Sequence, residues 1–223
     1  MVEANPAHRL LDELSAHARD RFLAASSRRT LNPGERLFLR GDAAGEVYLI
    51  ESGRLAVQRE RRDGTILTFT VLGPGAALGE LGYLERVPVR GASVLALERS
   101  KVIGIPYRAL DDLRARDPSI DRFLIEIMKR EVLRLSKHVV VTAYGSVDER
   151  VAVALGVLLG AADGAGPHTV RVTQEDLASV AGLTRSTTNR ALQEMSDAGV
   201  IEVHRGWIQV LDRDRLAASA EVD

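Results

Sequence analysis

The sequence has no cysteine, no run of 18 or more apolar residues, and only three lysines (Lys101, Lys129 and Lys137) among its 30 basic residues. Without cysteine there are no disulfides, no thiolate metal sites, no iron–sulfur clusters and no cysteine nucleophiles. Without a long apolar run there is no candidate membrane-spanning helix. The N-terminal stretch MVEANPAHRLLDELSAHARDRF reads as an amphipathic helix with charges throughout. It lacks the unbroken apolar centre of a signal peptide, so the chain is expected to stay in the cytoplasm with no membrane partner. The arginine bias carries no functional weight, because genome composition alone can produce it. Net charge is −1, and the region after Val147 is itself acidic, so there is no overall basic surface. What is present is 223 residues with 45% hydrophobic content, enough for one large or two modest domains with real cores.

From about Arg28 to Pro106 short β-rich runs are punctuated by turns such as Leu31-Asn32-Pro33-Gly34, Arg40-Gly41-Asp42 and Leu72-Gly73-Pro74-Gly75. Strands at such close spacing predict a small β-barrel or roll. Val47 to Ile50 and Arg54 to Val57 flank a tight turn, and Asp63-Gly64 is a hairpin signal before Ile66 to Val71. A long helix is predicted from Asp117, as N-cap with Pro118 at the first helical position, to about Tyr144. Its apolar residues form two stripes: Ile120, Leu124, Met128, Leu135, Val139 and Thr142 in one, Phe123, Ile127 and Val132 or Leu133 in the other. One stripe can cover the β-roll while the other pairs with its twin across a two-fold axis. Gly145 reads as a hinge, Val147 to Leu159 as a further helix, and Ala161 to His168 as a flexible loop.

The stretch Val172 to Val210 reads as two short capped helices joined by a glycine turn, then a tight hairpin. That is the pattern of a winged helix-turn-helix. Thr173 can cap the first helix, with Asp176 three residues on, and Thr184 the second; Gly182 supplies the turn and Gly199 a helix stop. Thr188, Ala191, Leu192 and Met195 recur at helical spacing and can pack inward, leaving Arg185, Ser186, Asn189, Arg190 and Gln193 outward. Val200 to Val203 and Trp207 to Val210 alternate like paired strands around His204-Arg205-Gly206, a turn that can carry a cation to a phosphate backbone. Arg171, Arg185, Arg190 and Arg205 would gather on one surface, which is what counterion release requires. Double-stranded DNA is therefore the expected partner. The expected organisation is α+β: N-terminal helix and β-roll over residues 1–116, dimerisation helix over 117–145, winged helix-turn-helix over 146–223.

Enzymatic readings fare poorly. A small β-barrel also suits cupin-type metal enzymes, but His8, His17, His138, His168 and His204 include no pair at ligand spacing within a strand. None lies between Arg28 and Pro106, where a haem sensor would need its axial ligand. No catalytic residue and no metal site is expected.

A β-roll, a long helix and a winged helix-turn-helix in that order resemble the CRP/FNR family of bacterial transcription regulators. The carriers are Gly41 to Val57 (GDAAGEVYLIESGRLAV), Pro74 to Ala92 (PGAALGELGYLERVPVRGA), Glu149 to Ala152 (ERVA) and TRSTTNRAL in the second helix of the helix-turn-helix. The resemblance implies a homodimer that binds a pseudo-palindromic operator and contacts RNA polymerase. It also implies a phosphate-binding cassette, in which amides of a short helical turn face a cyclic phosphate, a glutamate accepts the ribose 2′-hydroxyl and an arginine neutralises the phosphate. Gly79, Glu80 and Arg90 match these positions, with Leu81, Gly91 and Ala92 beside them. Cyclic AMP or another cyclic nucleotide is the implied ligand. The alternative is a ligand-independent activator in which Glu80 and Arg90 form an internal ion pair.

Two departures weaken the cyclic-AMP match. Gly91 stands where the family usually has a phosphate-touching Ser or Thr, and Leu135-Ser136 where the cyclic-AMP receptor protein offers the adenine a Thr-Ser pair. In the recognition helix Arg185-Ser186 replaces an arginine-glutamate opening, with Arg190 retained. Arginine can still contact guanine bidentately; the missing glutamate would have accepted from cytosine N4, whereas serine is short and can donate or accept, so the operator should differ there. By the resemblance Thr173, Thr184, Arg185, Ser186, Asn189, Arg190, His204 and Arg205 make up the DNA-facing set.

Overall fold

The computed structural model describes residues 6–60, 66–159 and 168–220. They divide into two compact units, Met1–Arg59 with Leu72–Leu133, and Glu60–Val71 with Arg134–Asp223. These packing units cut across the three segments expected from the sequence, because the division falls inside the long helix and assigns one β-strand to the C-terminal unit.

The first unit begins with α1 (Pro6–Leu11) and α2 (Ala16–Ala25), where one amphipathic helix was expected. Ser15 makes the break by capping α2, its side chain accepting from the Ala18 N–H at 3.1 Å. Then follow β1 (Ser27–Leu31), β2 (Arg36–Phe38), β3 (Glu46–Ser52), β4 (Leu55–Glu60), β5 (Ile66–Leu72), β6 (Ala77–Leu78), α3 (Glu80–Leu84), β7 (Ser93–Ala96), β8 (Ser100–Pro106), α4 (Tyr107–Arg114) and α5 (Ser119–Tyr144). The strands form two sheets of order β1-β8-β3-β6 and β2-β7-β4-β5.

The tight turn after β3 is present, but the strands it joins do not pair. β3 pairs with β8 and β6, and β4 with β7. The chain changes sheets at Gly53, whose φ is +82° and where a Cβ would stand 2.2 Å from the Ser100 hydroxyl, so only glycine fits. The Asp63-Gly64 hairpin signal and all but the last residue of the Ala161–His168 loop lie outside the described residues. His168 itself opens a strand.

Alternation along β3 builds two cores. Tyr48 and Ile50 point into the roll with Leu55, Val57, Val94 and Val102. Val47 and Leu49 point the other way, onto Phe22, Ile103, Ile105, Leu110, Ile120, Phe123, Leu124 and Ile127. The early turns of α5 are therefore buried by both expected stripes at once. The apolar side chains of α5 left exposed include Ile125 (66%), Val132 (58%), Leu135 (45%) and Val139 (62%), whereas Leu124, which shares its stripe with Leu135 and Val139, is buried.

Besides β5 up to Val71 and the part of α5 from Arg134 on, the second unit contains α6 (Val147–Leu159), β9 (His168–Arg171), α7 (Gln174–Ala181), α8 (Arg185–Asp197), β10 (Ile201–His204), β11 (Trp207–Val210) and α9 (Arg213–Ala218). The expected hairpin gains β9 as a third strand, in the order β10-β11-β9. Val151, Leu155 and Leu158 of α6 lie in the core of this unit with Leu177, Leu192 and Ile208.

The start of α5 is held electrostatically. Asp117 accepts from the Ser119 N–H at 2.9 Å and from the Ser15 hydroxyl at 2.5 Å, so it caps a helix beginning one residue later than expected. These hydrogen bonds, Ser15 first, lower its pKa from 3.8 to about 2. A carboxylate with a depressed folded-state pKa stabilises above its unfolded pKa and loses that contribution as pH falls through the folded value. In acid titrations of stability, the gap between wild type and Asp117→Asn is expected to close between pH 3.8 and about 2; a gap constant across that window would refute the assignment.

Candidate functional site

In the first unit the chain folds back on the Gly41-Asp42 turn. Arg90 N–H donates to Asp42 C=O and Gly41 N–H to Arg90 C=O, both at 2.9 Å. This places the Arg90 side chain inside the roll, 6% exposed. Its Nη2 donates to Glu46 C=O at 2.9 Å, and its guanidinium carbon lies 4.3 Å from the Phe38 ring centre and 5.4 Å from that of Tyr48. Nε and Nη1 are buried with no hydrogen-bond partner. Cation–π contact returns part of the desolvation cost, but two orphaned donors on a buried cation remain unfavourable until an acceptor arrives.

Gly79 sits directly under this guanidinium. Its φ is +84°, and a Cβ there would stand 2.3 Å from Arg90 Nη1 and 2.8 Å from Glu46 C=O. Tyr107 adds its hydroxyl, donating to Gly79 C=O at 3.1 Å; burial raises the Tyr107 pKa, and the Arg90 charge opposes that rise. Burial, and next the hydrogen bond its hydroxyl donates to Glu46 at 2.5 Å, raise the Tyr48 pKa. Among the described residues Arg90 makes no ion pair, so the expected alternative of a Glu80–Arg90 pair is not what forms. Glu80 opens α3, and Leu81 behind it is 52% exposed.

Gly91 has nothing within 4 Å of a would-be Cβ, so no neighbour fills the place of the missing hydroxyl side chain. Its carbonyl accepts from Arg59 Nη2 at 3.4 Å. Ala92 packs against the roll core. Leu135 and Ser136 lie on α5 in the second unit, both exposed. Sequence reasoning missed Phe38, Glu46, Tyr48 and Tyr107. Glu46 and Tyr48 were visible as an i, i+2 polar pair in β3, but nothing local said that an arginine 44 residues on would meet Glu46.

In the second unit, Thr173 caps α7, accepting from Asp176 N–H at 3.0 Å, and Thr184 caps α8, accepting from Thr187 N–H at 3.2 Å. Gly182 takes the left-handed conformation between them. Arg150 of α6 locks that turn, its Nε donating to Ala181 C=O at 3.0 Å and its Nη2 to Gly182 C=O at 2.5 Å. Thr188, Ala191, Leu192 and Met195 are buried as expected. Arg185, Ser186 and Arg190 are exposed, and Asn189 is half-buried with its Oδ1 lacking a partner.

Arg190 leans 3.8 Å from Glu194, an exposed pair that is worth little. The wing turn is Arg205-Gly206, with Gly206 at φ +84°. His204 was expected in that turn but belongs to β10, stacked on Trp207 at 3.7 Å with Glu202 3.5 Å away. The wing tip therefore presents Arg205 alone. The side chain of Arg171 lies outside the described residues. Among the described residues there is no cluster of three or more potential metal ligands, and no helix is long and apolar enough to cross a membrane.

The chain matches the families described as cyclic nucleotide-binding domain, over residues 28–117, and Crp-like helix-turn-helix domain, over residues 149–219. It is 28% identical to the cyclic AMP receptor protein of Thermus thermophilus over 191 residues, covering 86% of this chain and 87% of that one. It is 30% identical to the transcriptional activator protein anr of Pseudomonas aeruginosa over 200 residues, covering 86% and 80%. The structure of FixK2 from Bradyrhizobium japonicum shares the fold, with TM-score 0.72 at 20% identity, covering 89% of this chain and 98% of that one.

For the second unit, Arg185→Ala and Arg190→Ala are each expected to cost about 1–3 kcal/mol on a selected operator and to relax base preference, while Arg205→Ala weakens all duplexes alike and lowers the salt slope. Equal losses on operator and random DNA for the two helix variants, measured by fluorescence anisotropy, would remove the base-reading role.

Proposed function

Because the chain belongs to the CRP/FNR family of transcription regulators, we propose that it works as a homodimer on a pseudo-palindromic operator, gated by an anionic, ribose-bearing ligand of the cyclic-nucleotide type in the β-roll. It is a regulator and not an enzyme. The observation that carries the ligand reading is the buried Arg90 guanidinium with two unpartnered donors. A phosphodiester offers those donors acceptors with fitting geometry and charge. Gly79, Glu80, Leu81, Arg90, Gly91 and Ala92 are the cassette of this reading; Leu135 and Ser136 correspond to the family's adenine-facing pair by resemblance alone.

Cyclic AMP fits this set incompletely. Gly91 and Leu135 each withhold a hydroxyl, and losing two neutral hydrogen bonds predicts binding roughly five- to a hundred-fold weaker than in a fully matched pocket. A purine nucleotide that tolerates Leu135 is the better candidate. In calorimetric titrations of cyclic AMP and cyclic GMP, Arg90→Ala is expected to abolish whatever binding the wild type shows. Tight cyclic-AMP binding would show that the two lost hydroxyls matter little, and absence of any nucleotide binding would return the chain to ligand-independent activation.

The dimer reading rests on α5. Ile125, Met128, Val132, Leu135 and Val139 follow one another at steps of three and four, the spacing of a coiled-coil seam, and all but the half-buried Met128 are exposed. Two-fold pairing of such a seam would set the two recognition helices to successive major grooves, about 34 Å apart. RNA polymerase is the further partner that this family membership implies. The double variant Val132→Glu, Leu135→Glu should sediment as a monomer at micromolar concentration; a wild type that is itself monomeric there would overturn the dimer.

A further inference from the structure

The short helix α3 ends in a way that its sequence does not favour. The Val87 N–H donates to Gly82 C=O at 3.0 Å and the Arg86 N–H to Tyr83 C=O at 3.4 Å, the paired bonds of a Schellman cap. That cap puts Arg86 in the left-handed region, with φ +57°. Glycine is the ordinary occupant of such a place. At every other positive-φ position among the described residues this chain has glycine, the cap of α7 at Gly182 included. Arginine at this one carries a steric cost that glycine would not.

The contacts of the side chain show what the position gains. Arg86 Nη1 and Nη2 donate to the two carboxylate oxygens of Asp111 on α4 at 2.8 and 2.9 Å, a planar fork. These bonds hold the Asp111 carboxyl below its ordinary range, with burial opposing them, so it is ionised at neutral pH. Asp111 also accepts from the Tyr83 hydroxyl at 2.8 Å, and the Arg86 guanidinium lies 5.1 Å from the centre of the Tyr83 ring. Tyr83 itself is buried and meets the Tyr107 ring edge-on at 5.3 Å.

Tyr107 and Asp111 stand one turn apart on α4. The first holds Gly79 C=O at the start of α3, and the second holds Tyr83 and Arg86 at its end. A helix of five residues is not stable by itself, so its place is set by these contacts. We propose that Arg86 and Asp111 are positioning residues of the roll pocket: their fork fixes α3 on α4, which keeps Gly79 under the Arg90 guanidinium and Glu80 at a constant place beside it. The ligand arm rests on the pocket reading above; the hold on α3 does not. Both side chains of the pair are partly exposed, 59% and 39%, so the expected effects are those of a bidentate surface pair and not of a buried one.

The test uses the full chain. Asp111→Asn keeps an acceptor for the Tyr83 hydroxyl but not the charge, and Arg86→Asn removes the fork with a residue that tolerates the left-handed backbone. Without ligand, each is expected to speed amide exchange at Tyr83, Glu85 and Val87 about 3- to 10-fold. The combined variant should go no further, since each change removes the same fork. Unchanged exchange in both single variants, or increases that multiply in the combined one, would overturn the hold.

The ligand probes are cyclic AMP, cyclic GMP and their 2′-deoxy counterparts. Each single variant should weaken whichever ribonucleotide binds about 3- to 10-fold and narrow its lead over the 2′-deoxy form, which has no hydroxyl for Glu80 to accept. Equal weakening of the two forms would mean general damage to the roll and would overturn the positioning role. If neither nucleotide binds the wild type, the pocket reading fails, and faster exchange along α3 in the variants still supports the hold.

Discussion

A strand buried on both faces sets the geometry of the first unit. β3 sends Tyr48 and Ile50 into the roll and Val47 and Leu49 onto the helical layer, so a one-residue slip would exchange two cores and is excluded energetically. The same strand supplies the Glu46 carbonyl that anchors Arg90 and the Tyr48 ring beside its guanidinium. Register and pocket are thus one constraint. The pocket cation needs no dedicated scaffold, because the main chain that positions it is fixed by about ten buried apolar side chains that have nothing to do with a ligand.

What was legible in the sequence was mostly local. The caps Thr173 and Thr184, the left-handed Gly182, and the inward set Thr188, Ala191, Leu192 and Met195 follow from one-turn chemistry and helical period, and each appears where that chemistry puts it. Gly79 and Arg90 were legible through the family resemblance. Pairing between distant segments was not. The tight turn at Gly53 looks like a hairpin because turn residues and flanking strands are all that local sequence offers; the choice of β8 over β4 as partner of β3 is decided by closing the roll. The α5 stripes were misassigned for a related reason. Helical period says which residues share a face, but here two stripes are consumed by the core near the N-terminus of α5, and Leu124 goes inward while Ile125 stays out. His204 pairs with Trp207 across the hairpin and stacks on it, which leaves the turn to Arg205 and Gly206.

A net charge of −1 and an acidic C-terminal region limit how the second unit can meet DNA. There is no broad field to steer encounter or to give strong non-specific affinity. On the proposed reading, recognition would fall on a few exposed cations, Arg185 and Arg190 on α8 and Arg205 at the wing. Their presentation depends on an internal cation. Arg150 ties the Ala181 and Gly182 carbonyls to α6 and so fixes the angle between α7 and α8. Arginine suits that task because its planar fork can hold two carbonyls at once, which a lysine ammonium does with less geometric definition.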